Sequence, residues 1–147
     1  MKHIWSVLCQ KSSIDFETNL LSLFECLEEL SLEIDKNKFS NNGNLVIPIG
    51  VQLVSFWSIE DANKDNILEI KIELIDPDKK ILNHFENNFF IKKGILRFRN
   101  RANIQGIPVT VSGRYNFNIM QKKEGEKDYK IVSEIPLDIK IINKKIL

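Results

Sequence analysis

The chain is short of cysteine, glycine, proline and long apolar runs. Its two cysteines, Cys9 and Cys26, are too few among 147 residues for the disulfide framework of a small secreted scaffold, and they form no CxxC pair. Reduced thiols in a reducing compartment are the simplest expectation. Six glycines and four prolines exclude collagen-like and Gly/Pro-rich low-complexity chains. No stretch approaches the roughly 18 apolar residues that a membrane-spanning helix needs. The opening Met1-Lys2-His3-Ile4-Trp5-Ser6-Val7-Leu8-Cys9 is too short and too interrupted for a signal peptide. A soluble cytoplasmic protein is therefore expected. An excess of charge is also lacking. At a net charge of +1, no global field draws the chain to nucleic acid or membrane, so any basic site must be local.

What is present is an ordinary globular composition, 43% hydrophobic and 28% charged. One domain over residues 1–147 is expected, long enough to bury its own core. From residue 45 onward the apolar residues recur with period two. Ile70, Ile72 and Leu74 alternate with Glu69, Lys71 and Glu73. Val109, Val111, Tyr115, Phe117 and Ile119 alternate with Thr110, Ser112, Arg114, Asn116 and Asn118. Ile135, Leu137, Ile139 and Ile141 alternate with Glu134, Asp138 and Lys140. Each run has one apolar and one wet face, as in sheets packed on one side. Asp76-Pro77-Asp78-Lys79 reads as a type I turn with Pro at its second position, and Lys123-Glu124-Gly125-Glu126 as a hairpin turn.

The segment 19–34 is ambiguous. Leu20, Leu23, Phe24, Leu27, Leu30 and Ile34 fall close to helical spacing, which favours a helix slightly. The same residues also suit strand buried on both faces. Val7-Leu8-Cys9, Asp15 through Phe24 and Glu28-Glu29-Leu30 resemble the opening of a family of small uncharacterised bacterial all-β proteins. Gln105-Gly106-Ile107-Pro108, Gly113-Arg114-Tyr115-Asn116-Phe117 and Ile135-Pro136-Leu137 resemble its later half. The resemblance implies a β-sandwich whose opening segment is a hairpin, and it brings no activity with it. The expected fold is an antiparallel β-sandwich of about eight strands, immunoglobulin-like or related. The expected strands are 2–9, 19–30, 45–57, 67–76, 80–90, 94–104, 108–120 and 129–142, with 32–43 as a long loop.

Arginine is the scarcer basic residue, four against seventeen lysines. All four, Arg97, Arg99, Arg101 and Arg114, fall within eighteen residues. Their planar forks of donors suit carboxylate or phosphate. If 94–104 and 108–120 form a hairpin, Arg97, Arg99 and Arg101 neighbour Thr110, Ser112 and Arg114 on one wet face. At about 6.8 Å spacing their repulsion in water is only about 0.6 kcal/mol per pair, so a sheet tolerates the row without a ligand. Phe98 alternates with the arginines and points inward, which disfavours nucleic acid because stacking aromatics are missing from the row. A solvated, salt-bridged sheet face is the plain alternative.

The remaining motifs are weak. Asp61-Ala62-Asn63-Lys64-Asp65-Asn66 opens like a calcium loop but lacks the turn glycine and the bidentate glutamate, leaving only a site shared with Asp76 and Asp78. His3 and His84 have no His or Cys at metal spacing, and His3 is expected on the strand face of Trp5, Val7 and Cys9. No nucleophile elbow, phosphate loop or zinc signature occurs. Phe56, Trp57, Phe85, Phe89 and Phe90 read as core, with one of the adjacent Phe89 and Phe90 exposed. These residues point to a non-enzymatic binding module for a protein or a small anionic ligand, with no cofactor. A loop-built enzyme site and an oligomerising structural protein are the alternatives.

Overall fold

A computed structural model describes residues 1–35 and 45–144, and these contain nine strands and no helix. The strands are β1 (Lys2–Ile14), β2 (Leu21–Cys26), β3 (Glu29–Ile34), β4 (Leu45–Ser58), β5 (Asn66–Ile75), β6 (Ile81–Ile91), β7 (Arg97–Val109), β8 (Gly113–Lys122) and β9 (Lys130–Asn143). The first sheet is antiparallel, in the order β2-β1-β4-β7. The second runs β3-β9-β8-β5-β6 and is mixed, because β3 lies parallel to β9. The all-β expectation holds. The second sheet departs from a purely antiparallel one, and the strand orders do not display the expected immunoglobulin topology.

The helix expected as one reading of 19–34 is absent. That segment divides into β2 and β3, joined by Leu27 and Glu28, and the chain crosses from one sheet to the other there. Leu27 N–H donates to the Leu8 carbonyl on one side, and Asp138 N–H to the Glu28 carbonyl on the other. Tertiary pairing overrides the local preference of Leu and Glu. Of the long loop expected over 32–43, residues 32–34 belong to β3 instead; residues 36–43 lie outside the described residues.

Alternation places the core as the sequence predicts. Leu68, Ile70, Ile72 and Leu74 of β5 lie beside Tyr115, Phe117 and Ile119 of β8 in the second sheet, and Leu53 and Trp57 of β4 join them from the first in one buried cluster. Burying each large side chain contributes roughly 1.5–3 kcal/mol. The two predicted turns form. Lys79 N–H donates to the Asp76 carbonyl at 3.0 Å, and Glu126 N–H to the Lys123 carbonyl at 2.9 Å.

The expected hairpin between 94–104 and 108–120 does not form. β7 runs straight through Gln105-Gly106-Ile107-Pro108 and pairs only with β4, while β8 lies in the other sheet. Gly106 has φ +81°, and a Cβ there would meet Val46 Cγ1 at 2.8 Å, so it accommodates an irregular stretch of pairing rather than a turn. The true corner is Thr110–Ser112. Tyr115, wholly buried, fastens it: its hydroxyl accepts from the N–H groups of Thr110 and Val111 and donates to the Val111 carbonyl. This is the logic of a tyrosine corner.

Candidate functional site

The four arginines have separate surroundings. Arg97, Arg99 and Arg101 alternate along β7, opposite Ser58, Phe56 and Val54 of β4, on the outer face of the first sheet. Arg114 stands on the second sheet, where its Nε and Nη2 donate to the two carboxylate oxygens of Asp138 at 2.8 and 3.0 Å. That fork holds the Asp138 carboxyl below its usual range and raises the Arg114 guanidinium. Ser112 accepts the Ile141 N–H at 2.9 Å, so its hydroxyl ties the corner to β9. The structure therefore separates Ser112 and Arg114 from the row on β7.

Within that row the roles divide again. Arg99 donates to the Asn19 carbonyl at 3.0 Å, holding the tip of the β1–β2 hairpin against the sheet. Asp15 shapes the tip by accepting from the N–H groups of Glu17 and Thr18, which lowers its own pKa. Ser12 donates to Gln52, which donates in turn to Asn103, tying the same hairpin across β4 to β7. Cys9 and Val54 share this outer side yet have no exposed surface, because the hairpin folds back across it. Arg97 and Arg101 are exposed and form no ion pair among the described residues.

Aromatic neighbours stand on this face after all. Trp5 is opposite Phe56, Phe56 is opposite Arg99, and the two rings stack at 5.7 Å and 24°. Alternation along β7 sends Phe98 inward, as expected, but it says nothing of what the adjacent strands bring. The signal was the period-two run of β4, which puts Phe56 and Trp57 on opposite faces.

Opposite the β2–β3 crossing, the two sheets end in strands that pair on one side only, β6 and β7. Between them lies a groove of about 410 Å³. Ile70, Ile72 and Ile104 form its apolar floor, Phe85 and Phe89 come from β6, and Arg101 stands at the β7 rim. Phe89 meets Phe98 at 4.9 Å between the two strands. Phe90, by contrast, is 64% exposed beside Ile67 on the outer face, so the adjacent phenylalanines do point opposite ways.

The weaker motifs resolve into structural parts. Asp61 accepts from Asn63 N–H, and Asp65 from Lys93 N–H. Asp76 accepts from the N–H groups of Asp78 and Lys80 and from the Thr110 hydroxyl. The ten residues of β5 separate the two acidic loops by roughly 33 Å, so they share no calcium site. No metal-holding group of three or more His, Cys, Asp or Glu occurs among the described residues. His3 does not share the face of Trp5, Val7 and Cys9. An irregular register between His3 and Trp5 turns it against the Trp57 ring at 5.0 Å and the Ser6 hydroxyl at 2.6 Å. Burial lowers its pKa below 6.5. Cys9 stands opposite Cys26 on β2.

No protein-family model matches the chain, and no curated protein matches it. The likeness to small bacterial all-β proteins is thus upheld only at the level of an all-β protein with two sheets.

Proposed function

We propose that the protein is a non-enzymatic binding module that takes an extended acidic segment of a protein partner along the groove between β6 and β7. One observation carries the reading. Two one-sided edge strands flank an apolar floor, with the unpaired Arg101 at the rim and Arg97 further along the same strand. An edge strand offers free N–H and C=O groups to an added strand, the floor takes alternate side chains, and a guanidinium fork takes a carboxylate. The basic face expected from the sequence thereby narrows to Arg97 and Arg101, with Arg99 holding the hairpin that borders it.

The probe is a labelled ten-residue peptide of alternating Glu and Phe, followed by fluorescence anisotropy against a Lys/Phe control. The Glu peptide binds more tightly, loses affinity as salt rises, and loses about tenfold on Arg101→Ala, equivalent to about 1.4 kcal/mol. Arg97, Arg99 and Arg101 all changed to Lys weaken it while the fold stays intact, because lysine lacks the fork. Equal binding of the two peptides overturns the reading. Tighter binding of a ten-nucleotide single strand overturns it in favour of a base-stacking face on Trp5 and Phe56.

A second reading has its own observation. Ile67 and Phe90 form an exposed cross-strand apolar pair on the outer face of the second sheet, at 52% and 64% exposure. Self-association through that face shows in sedimentation as a mass above one chain, abolished by Phe90→Lys.

A further inference from the structure

Cys9 and Cys26 are direct partners in the antiparallel pairing of β1 and β2. The backbone fixes which kind of pair they form. Leu27 N–H donates to the Leu8 carbonyl at 2.8 Å, so the hydrogen bond joins the residue after Cys26 to the residue before Cys9. That is the pattern of a non-hydrogen-bonded pair, for which regular strands place the Cα atoms about 4.5 Å apart, while Glu25, at φ +52°, bends β2 directly before Cys26. A disulfide spans Cα separations of about 4.4–6.8 Å. Both sulfurs are free thiols, Cys9 buried and Cys26 exposed.

We infer that Cys9 and Cys26 form a reversible cross-strand disulfide, a site of oxidation by low-molecular-weight disulfides. The exposed Cys26 reacts first. Its thiolate attacks one sulfur of glutathione disulfide, the S–S bond breaks, and one glutathione thiolate leaves. Cys9 then loses its proton to solvent, and its thiolate attacks the Cys26 sulfur. The mixed disulfide breaks, the second glutathione leaves, and the protein S–S bond forms. Two protein thiols are oxidised and one external disulfide is reduced to two thiols. Burial raises the Cys9 pKa, so the second step, which needs the Cys9 thiolate, speeds up with pH. Cys26 is exposed, so its sulfur stays open to attack by a reducing thiol and the bond can be broken again. The loop it closes contains the hairpin whose tip Arg99 holds, so oxidation fixes the border of the arginine row covalently.

The test exposes the reduced full chain to glutathione disulfide and follows thiol titration, intact mass and peptide mapping. Titratable thiols fall from two per chain to none, the mass drops by two hydrogens, and a Cys9–Cys26 crosslinked peptide appears, at a rate independent of protein concentration. The thermal midpoint of the oxidised form rises by several degrees and returns on reduction. Cys9→Ala stalls as a glutathione adduct on Cys26, while Cys26→Ser, a surface change, forms neither adduct nor internal bond. Retention of both thiols, a terminal adduct on Cys26 in the unaltered chain, or chains linked to each other would each overturn the inference.

Discussion

Single side chains in this protein decide where the backbone turns. The Tyr115 hydroxyl serves two N–H donors and one carbonyl at the corner between β7 and β8, in a position without exposed surface. Tyr115→Phe leaves those groups to find other partners and lowers stability by about 1–3 kcal/mol, read from the urea midpoint. His3 is a second case. Its pKa is lowered by burial, so the unfolded chain takes up a proton first as pH falls. Stability is unaffected well above the unfolded value of 6.5, declines as pH drops from there toward the lower folded pKa, and levels off below it. His3→Gln removes that decline, and the check is a series of urea midpoints from pH 8 to pH 5. None of this was legible from residue type. His3 was expected beside Trp5, and only the shifted register of β1 on β4 turns it inward. The arginine signal was real as composition but mixed as a site, since Arg114 is engaged by Asp138 and Arg99 by Asn19.

At the scale of elements, period two located β5 and β9 well, because each has a dry and a wet face that alternation records directly, but it set the boundary between β7 and β8 several residues too early. It did not say which strands pair. Gln105-Gly106 looked like a turn, yet the chain runs on, since a glycine at φ +81° fits an irregular register as well as a turn. The Leu-rich 19–34 was ambiguous because its second half, β3, finds its partner β9 more than a hundred residues later. Gly113 shows how closely neighbouring elements fit. Its φ is +145°, and a Cβ would stand 2.8 Å from Pro77 Cγ in the β5–β6 turn. Gly113→Ala therefore costs roughly 1–3 kcal/mol through both backbone strain and that contact, measured by thermal or chemical denaturation. The proposed groove lies between elements, β6 and β7, that are adjacent in sequence but sit in different sheets. No local pattern reports such a juxtaposition.

For the molecule as a whole, the chain links the two sheets directly at the β2–β3 crossing, while β6 and β7 on the other side are not paired with each other. Stability is expected to follow that asymmetry. Amides of β5 and β8, each paired on both sides and buried against the core, exchange slowest, while the outward amides of β6 exchange orders of magnitude faster. Hydrogen exchange resolved by peptide checks this, and saturation with the Glu/Phe peptide slows β6 and β7 selectively if the groove is the binding site. The β2–β3 crossing has a different consequence, one of timing. Among the described residues β3 has a single strand partner, and its residues 29–34 match residues 138–143 of β9, more than a hundred positions later. During synthesis β1 and β2 can zip together early, whereas β3 has nothing to hydrogen-bond until the last strand has been made. The β2–β3 crossing, which links the two sheets, is therefore among the last parts to lock. A ribosome paused before residue 138 carries a chain whose first hairpin can be complete while β3 still lacks its strand partner.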